Sequence, residues 1–226
     1  ASDVYKRQVY PLNDNNFIIS SYEGMHIFNR KKKTLKYFND IRKINELDDI
    51  SYNDGTISKN KLWIGLSHIK ESKNLGYFGY LQNKNFVTID RGFKVSNGPA
   101  IDEKKGYLYF SDSSKSSIYQ YNLKNLMKKT LIKFNKNQGF PDGITLDNKN
   151  GLWVAHWAGA QVSRINLNSK KIDFNIKLPA LNVTSVTFVG KKLNQLFITT
   201  AKIETSKTHL KNYKYELIHK TLYLSF

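Results

Sequence analysis

Pro141-Asp142-Gly143-Ile144-Thr145-Leu146, running on into Leu152-Trp153-Val154, is one copy of a pattern that this chain repeats. Asn53-Asp54-Gly55-Thr56-Ile57 leads in the same way to Leu62-Trp63, and Asn97-Gly98-Pro99-Ala100-Ile101 leads to Leu108-Tyr109. Phe17 and Phe197 extend the series of aromatics, so that Phe17, Trp63, Tyr109, Trp153 and Phe197 follow at steps of 46, 46, 44 and 44 residues. That period belongs to propeller blades and to some helical repeats. The segments around the aromatics, such as Phe17-Ile18-Ile19 and Leu62-Trp63-Ile64, are short, β-branched and bounded by turn residues, which marks strands. Nine to fourteen residues after the aromatic comes a second apolar or alternating run, as in Tyr77-Phe78-Gly79-Tyr80 and Val162-Ser163-Arg164-Ile165. Polar turns such as Asp102-Glu103-Lys104-Lys105-Gly106 and Asp147-Asn148-Lys149-Asn150-Gly151 separate them, with Gly supplying positive φ. Only Leu123 to Ile132 offers a short, Lys-rich helical stripe. The fold class is all-β, a propeller of four-stranded blades. Oxygen-bearing side chains at one repeat position, Asn53, Asn97 and Asp142, are then expected to converge on a site.

With 226 residues, four Pro and no low-complexity run, the chain is the size of one propeller-type domain. The absence of Cys excludes disulfides and thiolate metal sites. No apolar run reaches the roughly 18 residues of a membrane span. The net charge of +18 invites a polyanion-binding reading. Against it, the excess is mostly Lys scattered through turns such as Arg30-Lys31-Lys32-Lys33, with no basic segment interleaved with stacking aromatics. A solvated Lys-rich surface, of the kind an AT-rich genome encodes, is the preferred account, and no nucleic-acid partner is expected. Asp3-Val4-Tyr5-Lys6-Arg7-Gln8 resembles the translation of a transposon-type sequencing adapter. Residues 1–8 are therefore expected to be foreign, and residues 9–226 to form an incomplete propeller whose true start, with any signal peptide, has been lost.

Four blocks in order resemble the senescence-marker-protein/gluconolactonase/luciferin-regenerating-enzyme family. They are Asn53-Asp54-Gly55 with Leu62-Trp63-Ile64-Gly65; Ser96-Asn97-Gly98-Pro99-Ala100-Ile101 with Tyr109-Phe110-Ser111-Asp112-Ser113; Pro141-Asp142-Gly143-Ile144 with Leu152-Trp153-Val154-Ala155; and Val183-Thr184-Ser185-Val186-Thr187-Phe188 with Leu196-Phe197-Ile198-Thr199-Thr200-Ala201. The resemblance implies a six-bladed propeller, present here as about five blades, and one divalent cation on its axis. It implies Asn97 and Asp142 as metal ligands, with a third ligand, a Glu of the first blade, absent from this chain. Glu23 follows a strand in the wrong context and is not promoted to that role. Asn53 is the implied substrate contact, supported by Tyr52, and Ser51 stands where the family often has a substrate-contacting Arg.

Such hard oxygen ligands suit Ca²⁺ foremost, with Mg²⁺, Mn²⁺ or Zn²⁺ as alternatives. The implied activity is hydrolysis of a sugar lactone, with the cation polarising the carbonyl and Asp142 taking a proton from the attacking water. No nucleophile elbow or Ser-His-Asp spacing accompanies these residues. The expected protein is a cytoplasmic monomer acting on a small molecule. The alternatives are a non-catalytic propeller binding a protein or polyanion, and an inactive fragment with exposed sheet edges that aggregates. Each polar motif also has a bland reading, since Asn-Asp-Gly, Asn-Gly-Pro and Pro-Asp-Gly are ordinary turn sequences. Asp54 reads as a ligand orienter or a turn cap, Asp112 as a turn cap, Trp63, Tyr109 and Trp153 as blade core, and His156 and Trp157 as packing or surface beyond their strand.

Overall fold

The computed structural model describes residues 6–44, 49–202 and 222–225. Residues 1–5, the larger part of the stretch read as foreign, lie outside them, whereas Lys6 to Gln8 begin the first strand. Two compact units emerge, Ala1–Pro99 and Ala100–Phe226. The first holds two antiparallel meanders. One is β1 (Lys6–Pro11), β2 (Asn16–Ser21), β3 (Gly24–Asn29) and β4 (Thr34–Asn39); the other, after the short helix α1 (Ile41–Ile44), is β5 (Ile50–Ser58), β6 (Lys61–His68), β7 (Gly76–Gln82) and β8 (Asn85–Phe93). The boundary falls inside β9 (Ser96–Asp102), which pairs with β10 (Tyr107–Asp112), followed by β11 (Ser117–Asn122) and β12 (Lys128–Lys133). Next come β13 (Phe140–Leu146), β14 (Gly151–Trp157), β15 (Gln161–Asn166) and β16 (Lys171–Lys177). Last, β17 (Asn182–Val189), β18 (Gln195–Ala201) and β19 (Leu222–Ser225) make a three-stranded sheet.

The second strand of a meander is the most buried because it is covered on both faces. In β14, Leu152 and Val154 enter one apolar cluster with Ile118, Leu131 and Ile144, while Trp153 and Ala155 enter another with Val183, Val186 and Leu196. Burial on both faces explains why Leu152-Trp153-Val154-Ala155 is a continuous apolar run rather than an alternation. Trp63, Tyr109 and Trp153 are core residues, 6 %, 2 % and 6 % exposed. Three of the fourth strands carry lysines: Lys36 in β4, Lys128, Lys129 and Lys133 in β12, and Lys171 and Lys177 in β16. Lysine on an edge strand opposes sheet-to-sheet pairing, and Lys128 also rests over the Tyr119 ring at 4.1 Å.

Three local expectations are corrected. Leu123 to Ile132 is a turn followed by β12, because the Asn122 side chain accepts the Lys124 N–H at 2.8 Å and Leu126 turns at positive φ, after which Leu131 packs inward. In the turn after β13 it is Asn150, at φ 60°, that takes the left-handed conformation, not Gly151. His156 and Trp157 belong to β14 itself. Among the described residues no helix is long and apolar enough to cross a membrane.

Candidate functional site

Two of the repeated polar residues, Asn53 and Asp142, sit at bulges. In β5, Tyr52 opposes Leu66 and Gly55 opposes Ile64, so that Asn53 and Asp54 are accommodated in a single irregular step. In β13, Pro141 opposes His156 and Ile144 opposes Val154, leaving Asp142 and Gly143 in the same position. β17 shows a comparable break at Thr184, between the Val183–Thr200 and Ser185–Thr199 pairs. A bulge re-aims side chains that a regular ladder would point alternately at its two faces.

In the first unit the β5 bulge meets the start of β9. Asn53 donates through Nδ2 to the Ser96 carbonyl at 2.6 Å and to Asn97 Oδ1 at 3.0 Å. With both amide hydrogens committed, the Asn53 side chain can offer a ligand its Oδ1 as an acceptor but no donor. Asp54 accepts from the backbone N–H of Gly55 at 2.8 Å, from Gly98 N–H and from the Gln8 side chain at 2.8 Å. Burial nevertheless pushes its carboxyl up to about 6, against those hydrogen bonds. Ser96 is held from behind as well: its N–H donates to Ser67 Oγ at 3.1 Å and the two hydroxyls lie 3.0 Å apart. A Cβ on Gly65 would fall 2.6 Å from Ser96 Oγ, so β6 must carry glycine there. Asn97 is thus buried, 8 % exposed, with its amide oxygen oriented by Asn53.

Tyr52 and Ser51 are placed differently. Tyr52 is 1 % exposed; its hydroxyl donates to Asp40 Oδ1 at 2.8 Å and accepts the Ile41 N–H at 3.0 Å. Burial, then the Asp40 carboxylate, raises its pKa far above the ordinary value. Burial also pushes Asp40 up, but hydrogen bonds from Arg42 and Tyr52 outweigh it and carry that carboxyl below its usual range. Ser51 is buried, its hydroxyl 3.5 Å from the Ser67 carbonyl. Both side chains are engaged inside the unit.

Asp142 belongs to the second unit and is half-buried. A Cβ on its neighbour Gly143 would lie 2.4 Å from Ser185 Oγ and 2.9 Å from Ser185 Cα, so glycine is what lets β13 approach β17. The preceding carbonyl, of Pro141, accepts a 2.6 Å hydrogen bond from Ser113 Oγ. Asp112 caps the adjoining 3₁₀ turn as the sequence suggests: its Oδ1 accepts from Lys115 N–H at 3.1 Å and Ser114 Oγ at 2.8 Å. His156 is fully buried, its Nε2 2.6 Å from Ser163 Oγ and its ring edge-on to Phe134; burial lowers its pKa to about 4. It is packing.

Sequence reasoning passed over Ser67, Ser96 and Ser113. The small residues flanking the aromatic strands, Gly65-Leu66-Ser67 and Ser111-Asp112-Ser113, are the signal that was there to be read. Among the described residues no three His, Cys, Asp or Glu side chains gather into a metal-binding cluster. The oriented Asn97 amide oxygen in the first unit and the Asp142 carboxylate in the second are each of the hard oxygen type that Ca²⁺ or Mg²⁺ prefers.

Residues 8–202 match the family model described as the SMP-30/Gluconolactonase/LRE-like region. A Bacillus subtilis protein named putative sugar lactone lactonase YvrE is 26 % identical over 194 residues, covering 83 % of this chain and 66 % of its own length. A Sulfolobus acidocaldarius protein is 28 % identical over 205 residues, covering 87 % and 73 %. The chain thus spans about two thirds to three quarters of these relatives. The crystal structure of a calcium-binding regucalcin from Agrobacterium tumefaciens superposes with a TM-score of 0.88 over 99 % of this chain and 77 % of that one, at 17 % identity.

Proposed function

This chain belongs to the SMP-30/Gluconolactonase/LRE-like family, and from that premise we propose that it hydrolyses a sugar lactone to the open-chain acid. Relatives named as lactonases support the reaction class. The observation that carries the reading is the shared bulge, which puts Asn53 and Asp142 at the same irregular step of β5 and β13. Asn97 and Asp142 are the residues that would hold a divalent cation, Ca²⁺ foremost. When bound, such a cation supplies polarisation of the lactone carbonyl and charge for the developing oxyanion.

The chain's own residues do the rest. Asn53 accepts a sugar hydroxyl through Oδ1 while its two N–H groups keep Ser96 and Asn97 in place. The Asp142 carboxylate takes the proton of the attacking water as the ring ester opens and later returns it to the departing alkoxide. Tyr52 acts from behind, by fixing the Asp40–Arg42 corner against β5. The test is acid release from a panel of aldonolactones, with and without added divalent cation. Asp142→Ala should lower kcat by about 10²–10⁴-fold, the range of a lost general base. Equal rates for the two proteins would remove Asp142 from the mechanism.

A further inference from the structure

The backbone around each proposed ligand is held by a hydrogen bond donated from the preceding sheet to the carbonyl just before that ligand. In the first unit Asn53 Nδ2 donates to the Ser96 carbonyl, ahead of Asn97, at 2.6 Å. In the second unit Ser113 Oγ donates to the Pro141 carbonyl, ahead of Asp142, also at 2.6 Å. The donors differ in residue type and in place along the repeat, yet they act on the same backbone position. We propose that Ser113 is the positioning residue for Asp142, anchoring the peptide that leads into the β13 bulge.

Three observations support a fixed anchor rather than a passing surface contact. Ser113 is 8 % exposed, so its hydroxyl bond is shielded from water. It opens the 3₁₀ turn Ser113–Lys115, whose start is capped by the fully buried Asp112. The other end is closed by Ser116 at φ 50°, whose N–H returns to the Ser113 carbonyl at 3.0 Å and whose carbonyl accepts the Phe134 N–H at 2.8 Å. The hydroxyl is therefore carried on a turn that is itself held at both ends. At the receiving side, the pairing of β13 with β14 shifts register between Pro141 and Ile144, the step that contains Asp142. Outer-shell partners of this kind typically alter affinity or rate by 10–100-fold.

The inference rests on the lactonase reading for its kinetic arm alone. The experiment compares Ser113→Ala, Ser113→Thr and Ser111→Ala. Ser111 is a serine two residues earlier, fully buried, whose hydroxyl has no hydrogen-bond partner, so its loss is the control. Ser113→Ala should lower kcat about tenfold with KM within a factor of two, Thr should restore most of the rate, and Ser111→Ala should match wild type. Independently of activity, the ¹³Cγ resonance of Asp142, assigned through Asp142→Asn, should shift or broaden in Ser113→Ala, and Ca²⁺ titrated alone should bind about tenfold more weakly. A folded Ser113→Ala with wild-type kcat, an unmoved Asp142 resonance and unchanged Ca²⁺ affinity overturns the proposal. Should Ser113→Ala not fold, Ser113→Thr is compared with Ser113→Val, alike in shape and differing in the hydroxyl, and equal kcat, resonance and Ca²⁺ affinity for that pair overturns it in the same way. A wild-type protein inert on every lactone would overturn the lactonase reading while leaving the resonance comparison decisive for Ser113.

Discussion

Replacing Tyr52 by Phe separates a ligand-contacting hydroxyl from a structural one. The ring is retained, so the core packing and the Arg42 guanidinium 4.9 Å above the ring centroid survive. What goes is an oxygen that serves two buried partners, Asp40 Oδ1 at 2.8 Å and the Ile41 N–H at 3.0 Å. Ile41 is wholly buried, so its N–H is left without that acceptor, at a cost of about 1–3 kcal/mol. Asp40 loses one charge-assisted bond but keeps both Arg42 contacts, at 2.9 Å each, which limits its share. The sum is roughly 2–4 kcal/mol of unfolding free energy. For a domain of this size each kcal/mol moves Tm by about 2–4 °C, so a fall of roughly 5–15 °C is expected. The assay is a thermal melt beside a KM measurement on the best lactone, and KM should stay within twofold of wild type. A melt within a degree of wild type, together with a tenfold rise in KM, would refute the structural role and return Tyr52 to the ligand.

Other expectations follow from the same geometry. His156, with its pKa lowered to about 4 by burial, is neutral in the fold, so its stabilising contribution is complete above its ordinary value of 6.5 and is lost as pH falls towards 4. Between pH 8 and pH 5 it should account for about 2 kcal/mol of lost stability, and His156→Gln should flatten that limb of a denaturant-unfolding series. A variant whose stability still falls in parallel with wild type would locate the titration elsewhere. Gly143→Ala places a methyl 2.4 Å from Ser185 Oγ and 2.9 Å from its Cα, so β17 must shift; a loss of about 1–3 kcal/mol is expected by calorimetry, with a lower kcat. An unaltered melt for that variant would mean β13 and β17 separate freely. Asp142→Ala and Ser113→Ala carry the kinetic expectations given above.

What was legible in the sequence was whatever one repeat fixes by itself. The continuous apolar run of β14 announces burial on both faces, and the aromatics Trp63, Tyr109 and Trp153 are in the core where their spacing put them. Asp112 caps its turn through its own neighbours, a bond spanning only three residues. What was hidden depends on one repeat touching the next. Asn53 reaches Ser96 and Asn97 across 43 and 44 residues, and Ser113 reaches Pro141 across 28. Tyr52 reads as a substrate contact because it adjoins Asn53; its hydroxyl's partner Asp40 lies in the connection from β4 and bears no pattern that names Tyr52.

The uneven spacing of the motif has a physical cause, and it leaves the polar residues at equivalent places in their own sheets. Asn53 precedes Trp63 by 10 residues and Asp142 precedes Trp153 by 11, which at face value puts the two polar residues out of step. In the strands they are in step. Trp63 opposes Thr56 and Trp153 opposes Thr145, and each Thr lies three residues beyond the polar residue of its bulge. The extra residue falls in the hairpin. The β5–β6 turn closes on Lys59-Asn60, both at positive φ, the two-residue form that matches strand twist. The β13–β14 connection instead wraps around Asp147, whose Oδ1 accepts the Lys149 and Gly151 N–H groups at 2.8 and 2.7 Å and whose Oδ2 accepts the Trp153 indole N–H at 2.9 Å. A turn at the solvent end of a hairpin can lengthen without disturbing the register at the other end, whereas an insertion between the polar residue and its Thr would turn every later side chain onto the opposite face. The constraint therefore acts on the three-residue interval from Asn53 to Thr56 and from Asp142 to Thr145, the interval that carries the bulge and the glycine.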